Sequence, residues 1–332
     1  MDIKSLLFTH WGIAASQIVP LTEGLINQTW LVRGAQADYI LQQINTAVFK
    51  KPLVLQAQLA ALSTALQLPS LVPLQFISKR NGKLLLVTEE GTFRLLKAIS
   101  PSTTLPRATV QNAQLAAEAL LEFHQALSAI APGPWKAPIA DFLNVQLRLN
   151  TFEKAKTAAN PQRKMAAIKQ IAAIEMQWND LVAWQKLADQ EQKVLIHADP
   201  KLGNFLFHPN GKQVRSIIDW DTIQLGTPYY DYGDMIRSFC SRGEDADEQA
   251  HLFQEEIFEV LVGVFAVDAA KLYTAAMGVI LVQATRFLTD YLQDDIYYKV
   301  KDEEHNLRRA ANQLRLASEL KNYWLTTRRP TH

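Results

Sequence analysis

The amino-acid sequence predicts an α+β protein, with a small antiparallel sheet at the N-terminal end and a larger, mainly helical part after it. Short apolar runs separated by hairpin-type turns fill the first hundred residues. Long amphipathic stretches dominate from about Ser100 onward, and two strand-like runs carrying polar residues interrupt them near residue 200. We therefore expect two units, at residues 1–98 and 99–332.

Strand patterns in the first unit follow one another with turn chemistry between them. The run "TWLVRG" ends at a glycine turn, and "DYILQQIN" alternates after it. We expect three short strands in "LVPLQFISKRNGKLLLVTEEGTFRLLKAI", because "RNGK" and "EEGT" have the composition of hairpin turns. Between these runs, "PLVLQAQLAALSTALQ" has leucines at helical spacing and begins at Pro52, which suits a first helical turn. The pattern predicts an antiparallel sheet with one inserted helix.

Helical periodicity marks the second unit. The stretch "TVQNAQLAAEALLEFHQALSAI" predicts an amphipathic helix that ends at "APGP". A second long helix is predicted over "RKMAAIKQIAAIEMQWNDLVAWQKLA", after "ANPQ". Two strand-like pieces, "KVLIHADP" and "RSIIDWD", then lie around the turn "HPNGK", and the chain after Tyr229 has a helical pattern to its end.

Composition excludes several classes of function. The 332 residues carry a net charge of +1 and no run of five like charges, so there is no electrostatic footprint for nucleic acid or for an anionic membrane surface. The single cysteine, Cys240, excludes an intramolecular disulfide and fits a cytoplasmic location. We recognise no signal peptide at the N-terminus. The apolar run in "YTAAMGVILVQATRF" is about 14 residues, shorter than the roughly 20 of a membrane span, and predicts a buried helix.

The stretch "VLIHADPKLGNFLF" places four polar side chains, those of His197, Asp199, Lys201 and Asn204, between two apolar runs. Asp219 ends the next apolar run. A turn between the runs would bring these groups together, leaving one carboxylate free to accept a proton. Magnesium prefers oxygen ligands and keeps several waters, so one amide and one carboxylate are enough beside substrate phosphates. Lys201 can neutralise charge on a transferring phosphoryl group, so the stretch has the parts that phosphoryl transfer requires.

The spacing of these residues supports the same chemistry. The pattern His-x-Asp-x-x-x-x-Asn is that of the protein-kinase catalytic loop, and Asp219 matches the metal-binding aspartate that follows it. Ala198 stands where that motif has arginine, and no Phe-Gly follows Asp219. Asp199 and Asn204 alone could simply cap turns. The flanking strands, the lysine and the later aspartate together favour phosphoryl transfer, and we interpret His197 as a structural brace rather than a base.

The stretch "HADPKLGNFLF…SIIDWDTIQLGTPYYDYGDMIR" resembles the aminoglycoside phosphotransferase and choline kinase superfamily, whose members have a protein-kinase-like bilobal fold. More narrowly, "GLINQTWLV", "YILQQINTAVFKKP", "DWDTI…DYGDMIR" and "TRFLTDYLQDDIYYK…HNLRRAANQL" resemble the N-acetylhexosamine 1-kinases, which phosphorylate the anomeric hydroxyl of N-acetylglucosamine or N-acetylgalactosamine with ATP. The resemblance runs from about Gly24 to Leu316. It implies a nucleotide-binding lobe at 1–98, a catalytic and substrate-binding lobe at 99–332, and ATP and Mg²⁺ as cofactors.

The resemblance also implies roles for single residues. Asp199 would be the catalytic base toward the sugar hydroxyl, and Asn204 and Asp219 would hold magnesium. Gln42 occupies the position of the phosphate-pairing lysine, where the hexosamine kinases also have glutamine; an uncharged amide cannot stabilise phosphates as an ammonium does. Ala198 replaces the glycine frequent in the superfamily and the polar residue of the hexosamine kinases, and we expect its methyl group to be tolerated.

The loop that would cover the phosphates is "TEGLINQTW", residues 22–30. It has one glycine, Gly24, where a protein kinase has three. The resemblance therefore implies a cradle of backbone amides and of the side chains of Asn27, Gln28 and Thr29. Without the resemblance, the same stretch is equally a plain polar connection between two strands.

Candidate acceptor-binding residues lie in the helical part. The run "DYGDMIR" places Asp234 and Arg237 three residues apart, as neighbours on one helix face. For Asp231, which precedes them, we favour a helix N-cap. An aspartate in this region of kinase-like folds commonly braces the catalytic loop, so Asp234 is a candidate for either bracing or substrate contact.

Arg286 follows a long apolar run on a helix that we expect to be buried, and a buried arginine needs partners. A sugar hydroxyl or an N-acetyl carbonyl would serve, and so would Asp290, four residues on. The resemblance favours substrate contact for Arg286 and, in the same block, for Tyr297. These residues complete the predicted site.

Two classes of function remain open at this point. The first is an ATP-dependent small-molecule kinase, acting on an N-acetylhexosamine or on an aminoglycoside, choline, homoserine or methylthioribose. Choline needs an aromatic and acidic cage, and an aminoglycoside needs an acidic cleft, for which "SRGEDADE" is a candidate. The second is a catalytically silent nucleotide-binding regulatory protein, which Gln42 favours and the intact Asp199, Asn204 and Asp219 disfavour. The sequence predicts no oligomeric state.

Overall fold

The computed structural model describes residues 2–21, 26–130, 135–243 and 251–328. Within these ranges the chain forms a small antiparallel sheet lobe followed by a larger helical lobe, which confirms the α+β fold class. The sheet lobe consists of five strands in the spatial order β1-β2-β3-β5-β4, together with two helices. Its elements are α1 (Ile3–Trp11), β1 (Ala15–Leu21), β2 (Gln28–Gly34), β3 (Asp38–Ile44), α2 (Pro52–Ala65), β4 (Leu85–Thr88) and β5 (Gly91–Lys97).

The register of this sheet separates a polar row from an apolar face. Thr29 of β2 pairs with Gln42 of β3, which in turn pairs with Arg94 of β5, so these three side chains share one face. The neighbouring residues Leu41 and Phe93 are buried on the other face, against α1. Strand alternation therefore aims the polar row away from this small core.

The sheet lobe departs from the sequence prediction at two places. The segment 71–79 was expected to be a strand, but it runs irregularly beside β5 and forms only one isolated bridge, between Phe76 and Leu96. Pro73 lacks a donor, and the indole of Trp11 takes the carbonyl of Ile77 at 3.1 Å, so the ladder does not extend. Helix α1 was not predicted; Asp2 caps its N-terminus by accepting from the backbone of Lys4.

The helical lobe is built around one long buried helix, α10, which packs against α11, α8, α7 and α4. Gly278 of α10 lies directly against Trp184, since a Cβ there would come within 2.1 Å of its ring. By length and composition α10 could cross a membrane, but 78% of its apolar window is buried in this fold, as expected of a core helix. The helices are α3 (Val110–Ser128), α4 (Val145–Ala158), α5 (Pro161–Ala166), α6 (Ile168–Met176), α7 (Trp178–Gln190), α8 (Pro228–Phe239), α9 (Glu255–Phe265), α10 (Ala269–Leu292) and α11 (His305–Thr327).

The long helix expected over 163–188 is instead divided into α5, α6 and α7. The breaks fall at Ala167 and Gln177, whose backbones leave helical geometry with ψ of 3° and 15°. Each piece meets a different surface: Arg163 of α5 donates to the Tyr291 carbonyl at 2.7 Å, α6 packs on α11, and α7 packs on α10. Tertiary packing thus overrides a continuous helical pattern.

Two short hairpin-like pairs stand between α7 and α8. They are formed by β6 (Val194–Ile196), β7 (Phe205–Phe207), β8 (Val214–Ile217) and β9 (Gln224–Gly226). The strand-like run 193–200 was expected opposite 215–221, but β6 pairs with β9, and β8 pairs with β7. The segments between the paired strands, 197–204 and 218–223, therefore come to lie side by side.

Candidate active site

The β7–β8 hairpin brings Asn204 and Asp219 together. Asn204 directly precedes β7, and Asp219 lies two residues after the end of β8. The backbone N–H of the intervening Ile218 donates to the carbonyl of Asn204 at 2.8 Å. The "HPNGK" turn that closes the hairpin thus sets the positions of both predicted metal ligands. The predicted proximity of these two residues is observed, although the strand that supplies it is β7 rather than β6.

Asp199 lies in the loop after β6 and contacts both of its polar neighbours. The ammonium of Lys201 donates to Asp199 Oδ2 at 2.8 Å, and the amide of Asn204 donates to the same oxygen at 3.1 Å and to the Asp199 carbonyl at 2.7 Å. Burial alone would raise the pKa of Asp199, but the adjacent ammonium outweighs it and holds that pKa below its ordinary value. The carboxylate is therefore ionised at neutral pH.

His197 makes the contacts expected of a brace. Its Nε2 donates to the Ile218 carbonyl at 2.9 Å, and its Nδ1 accepts from the backbone N–H of Asp199 at 3.2 Å. Burial lowers the pKa of the imidazole, in keeping with a neutral ring that has one donor and one acceptor nitrogen. Both nitrogens are occupied by backbone groups, so the ring ties the loop to the end of β8.

The carboxylate of Asp231 fixes the backbone at the start of the loop. It accepts from the N–H of His197 at 2.8 Å and from the N–H of Ala198 at 2.7 Å. Nε2 of His124 also contacts Asp231 at 2.7 Å. Ala198 adopts a φ of +66°, a left-handed conformation that residues with a Cβ rarely enter. The clamp holds this unfavourable turn in place and so aims Asp199.

This arrangement corrects two expectations about α8. The N-cap is Thr227, whose hydroxyl accepts from the backbone of Tyr229 at 3.3 Å, and not Asp231. The bracing aspartate is Asp231, and not Asp234. The combination of Thr227 as N-cap and Pro228 as first helical residue marks the start of α8 in the sequence. The loop that Asp231 holds is 33 residues away from it, so local patterns do not reveal the contact.

Asp219 occupies a strained and electronegative position. Its φ is +65°, and burial together with the neighbouring charge of Asp221 raises its pKa to about 7. The amide nitrogen of Asn204 is held by Asp199, which leaves the amide oxygen without a protein donor among the residues described. A carboxylate without an ion-pair partner among the residues described and a free amide oxygen are the ligand types that Mg²⁺ prefers, so this donor set fits a magnesium ion.

The structure describes three of the four predicted phosphate-loop residues, Asn27, Gln28 and Thr29. Gly24 lies outside the described residues. Gln28 and Thr29 begin β2, while Asn27 is buried just before it. The Asn27 side chain accepts from the backbone of Asn45 at 3.0 Å and donates to Asp221 at 2.9 Å, so both ends of its amide have protein partners.

Two residues of the site were missed by sequence reasoning, Arg94 and Asp221. Arg94 Nη1 and Nη2 donate to the two oxygens of Asp221 at 2.6 and 2.7 Å, and both side chains are almost fully buried, at 3% and 1% exposure. Arg94 Nε also donates to Gln42 Oε1 at 2.9 Å. A single arginine inside the apolar strand "TFRLL" and a second aspartate in "DWD" were the available signals.

Asp234 and Arg237 are paired on the first turns of α8. Arg237 Nε donates to Asp234 Oδ1 at 2.7 Å, as the three-residue spacing predicts. Asp234 Oδ2 is buried without a hydrogen-bond partner. Burial raises the pKa of Asp234, and the negative charge of nearby Asp199 adds to it. This buried oxygen has an unused acceptor position that a hydroxyl group could fill.

Arg286 lies among aromatic rings instead of beside a carboxylate. Its guanidinium is 5.1 Å from the ring centre of Phe142, 5.6 Å from that of Tyr298 and 5.9 Å from that of Tyr297. Its hydrogen bond goes to Gln283, at 3.1 Å. In the described ranges no carboxylate lies within ion-pair distance of Arg286.

The alternative partner Asp290 is occupied elsewhere. It accepts from the backbone of Tyr297 at 2.8 Å and of Tyr298 at 2.9 Å, and the amide of Asn306 donates to it at 2.9 Å. A second arginine, Arg148, lies near Arg286; burial lowers its pKa and the charge of Arg286 lowers it further. The alternative pair with Asp290 is therefore not formed. Arg286 has no carboxylate within ion-pair distance in the part of the chain described, although the negative charge of Asp199 favours its ionised form from farther away.

Comparisons with known proteins agree with this fold. The model of the phosphotransferase enzyme family (APH) matches residues 17–263. The chain is similar to the solved structure of a microcompartment-associated aminopropanol kinase, with a TM-score of 0.67, 16% identity and coverage of 98% of this chain and 97% of that one. For a spectinomycin phosphotransferase in complex with ADP and spectinomycin, the TM-score is 0.62, the identity 15% and the coverage 96% and 98%.

An aminoglycoside phosphotransferase from Alicyclobacillus acidocaldarius is also similar, with a TM-score of 0.58, 14% identity and coverage of 96% and 95%. These likenesses confirm the kinase-like fold. A curated relative, acyl-CoA dehydrogenase family member 10 of Mus musculus, is 35% identical over 72 residues. That match is 21% of this chain and 6% of the mouse protein, so the chain spans a small fraction of that relative's length.

Proposed function

The chain belongs to the phosphotransferase enzyme family, and from that premise we propose that it transfers the γ-phosphoryl group of ATP to the anomeric hydroxyl of an N-acetylhexosamine. Its membership makes it a small-molecule phosphotransferase that acts on a hydroxyl group. The proposal adds the acceptor, the roles of individual residues, and the division into a nucleotide-binding lobe at 1–98 and a catalytic lobe at 99–332.

Asp199 is the catalytic base of the proposed reaction. It is ionised because Lys201 lowers its pKa, and an ionised carboxylate within hydrogen-bond reach can take the proton of the attacking hydroxyl. Lys201 then has a second role, since its ammonium can turn from the carboxylate toward the transferring phosphoryl group. His197 and Asp231 do not take part in the proton transfer, and they hold the loop that carries Asp199.

Magnesium belongs between Asn204 and Asp219 in this proposal. When bound, the ion neutralises charge on the nucleotide phosphates and so favours phosphoryl transfer. The chain contributes an amide oxygen that is free of donors among the residues described and a buried carboxylate, whose pKa burial and the charge of Asp221 raise to about 7. ATP lies against the sheet lobe, near Gly24, Asn27, Gln28, Thr29 and Gln42.

Arg286, which has no ion-pair partner and lies close enough to Asp199 to feel its charge, supports the choice of acceptor. Arg286 presents unused donors within a wall of aromatic rings, and Arg148 adds a second positive charge nearby. Donors of this kind suit the carbonyl and hydroxyl oxygens of an N-acetylated sugar, and aromatic rings suit its apolar face. The open oxygen of Asp234, the Asp234–Arg237 pair and Tyr297 provide further polar contacts for the ring hydroxyls.

The same positive charge argues against cationic acceptors. An aminoglycoside or choline would bring its own positive charge next to Arg286 and Arg148, whereas a site selective for such ligands needs carboxylates there. The acidic stretch considered for an aminoglycoside, 244–248, lies outside the described residues. A silent regulatory protein is disfavoured because Asp199 is held ionised and aimed by contacts that nucleotide binding alone does not require.

The test is a turnover assay with MgATP and a panel of N-acetylglucosamine, N-acetylgalactosamine, kanamycin, choline, homoserine and methylthioribose. We expect ADP release with the two N-acetylhexosamines alone, and an acid-labile phosphate at the anomeric carbon in ³¹P NMR. Asp199→Asn should abolish turnover while MgATP still binds, and Asp189→Asn, on the exposed face of α7, is the matched control. Turnover of an amine-bearing acceptor, or binding without any turnover, would contradict the proposal.

A further inference from the structure

A buried polar network joins the sheet lobe to the segment that carries Asp219. It consists of Gln42, Arg94 and Asp221, and we refer to it as the Gln42 network. Arg94 Nε donates to Gln42 Oε1 at 2.9 Å, and the two terminal nitrogens of Arg94 form a bidentate pair with Asp221 at 2.6 and 2.7 Å. Asn27 completes the network by donating to Asp221 at 2.9 Å.

The network determines which way the amide of Gln42 points. A guanidinium can only donate, so the Gln42 atom that faces Arg94 Nε must be the carbonyl oxygen. The amide nitrogen is consequently turned to the other side, where no protein acceptor lies within hydrogen-bond distance in the ranges that the structure describes. A glutamine free to rotate would present either atom, but this one presents its two N–H groups.

Arg94 itself is in no position to bind a ligand. Its side chain is 3% exposed, and the donors that could reach outward are directed at Asp221. Asp221 is equally occupied, because its two oxygens accept three hydrogen bonds, from Arg94 and from Asn27. This leaves Asp219 as the carboxylate of the pair that can bind a metal, and it leaves Gln42 as the member of the network that faces the nucleotide.

Resting on the proposed function, we propose that Arg94 and Asp221 are positioning residues that lock Gln42 as a neutral hydrogen-bond donor to a phosphate oxygen of the nucleotide. Gln42 stands where the kinase-like strand has a lysine, and its direct cross-strand partner Arg94 supplies orientation instead of direct charge. The positive charge of Arg94 is paired with Asp221. Phosphate binding in this proposal therefore relies on the oriented amide of Gln42 and on magnesium.

A lysine at position 42 is therefore incompatible with this lobe. Its ammonium would lie beside the guanidinium of Arg94, and Arg94 Nε would lose the acceptor that Gln42 Oε1 provides. The substitution that restores the usual residue of a kinase should weaken nucleotide binding, which is the opposite of what charge alone predicts. Weaker MgATP binding by Gln42→Lys would indicate that the oriented amide of Gln42 binds the nucleotide. Unchanged or tighter binding would indicate that Gln42 has no such role.

The experiment is calorimetric titration of MgATP into the protein without acceptor, so that the readout does not depend on which sugar is phosphorylated. We expect Gln42→Met to raise Kd for MgATP about 10-fold or more, as for loss of a hydrogen bond to a charged group. Arg94→Lys should raise Kd similarly, and adding Arg94→Lys to Gln42→Met should have little further effect, because both act through one amide. Gln42→Lys should raise Kd as well.

The matched control is Gln43→Met. Gln43 is the next residue on β3, and its amide donates to the carbonyl of Glu90, away from the network. Its Kd for MgATP should stay within twofold of wild type. Additive losses in the double variant, or a Gln42→Lys protein that binds MgATP as tightly as wild type, overturn the proposal. Wild-type protein that binds MgATP but phosphorylates no N-acetylhexosamine refutes the acceptor assignment alone, and wild-type protein that binds no MgATP refutes both.

Discussion

Two buried arginines at opposite ends of the site differ in how their charge is compensated. Arg94 is held by the bidentate carboxylate of Asp221, and its donors are directed at protein groups. Arg286 is stacked among aromatic rings and has one side-chain hydrogen bond, to Gln283. A buried charge that already has its partner contributes to the fold, and a charge that lacks one is available for a ligand.

The same contrast separates two aspartates that are two residues apart. Asp221 has Arg94 as its counter-ion, whereas burial and neighbouring carboxylates raise the pKa of Asp219 to about 7. Within the segment "DWD", the second aspartate thus has an ion-pair partner and the first has none among the residues described. The difference predicts which substitutions affect stability and which affect ligand binding, in the order of expected size given below.

The largest loss of stability is expected when one partner of the Arg94–Asp221 ion pair is removed. Asp221→Asn leaves Arg94 buried without a counter-ion, so we expect the free energy of unfolding to fall by about 3 to 5 kcal/mol, measured by urea denaturation. The double variant Arg94→Leu/Asp221→Leu removes both charges and should lose much less. Equal losses in the two variants would show that the pair is not the source of the stability.

Removing Arg286, the arginine without an ion-pair partner, should affect turnover instead. Arg286→Met keeps the apolar stem but loses the donors, so we expect kcat/KM for the sugar to fall about 100-fold, or about 2.7 kcal/mol. KM for ATP and the free energy of unfolding should change little. Steady-state kinetics with each substrate varied in turn provide the measurement. A loss of stability as large as that of Asp221→Asn would erase the distinction between the two arginines.

Asp219→Asn should stabilise the metal-free protein while abolishing turnover. The pKa of Asp219 is raised from 3.8 to about 7, so the folded state retains a proton that the unfolded state releases, and stability is lost as pH rises from about 4 to 7. The asparagine variant lacks this slope, and at pH 8 we expect it to be more stable than wild type by up to about 4 kcal/mol, the size of a three-unit pKa shift. Denaturation without magnesium at pH 5 and pH 8 tests this, and magnesium should raise Tm of wild type alone.

The smallest effect is expected at a residue without charge. Ala198 has a φ of +66° and is held by Asp231, so Ala198→Gly relieves backbone strain in the folded state. The glycine also increases the entropy of the unfolded chain, which offsets part of this stabilisation. We expect a net stabilisation of about 0.5 kcal/mol or less, with kcat unchanged within twofold. A large loss of kcat would mean that the methyl group contributes to the aim of Asp199 beyond what the Asp231 clamp provides.

Local patterns were sufficient for much of the fold and for the catalytic loop. Strand alternation predicted β2, β3 and β5, and the leucine spacing with Pro52 predicted α2. The strand predicted over 71–79 is absent because the side chain of Trp11 takes the carbonyl of Ile77 that a strand would use. The single helix predicted over 163–188 is divided because its pieces pack on three different surfaces. These are tertiary contacts, which a window of neighbouring residues does not contain.

The sequence by itself predicted phosphoryl transfer and the proximity of four polar residues. These residues, Asp199, Lys201, Asn204 and Asp219, lie at fixed spacings on segments whose apolar flanks must be buried. Only the tertiary structure decided how each charge is compensated. Arg94 and Asp221 are 127 residues apart, and Asp231 is 33 residues from the backbone that it holds. Compensation depends on distance in space and on burial, and both are properties of the folded chain that residue spacing does not record.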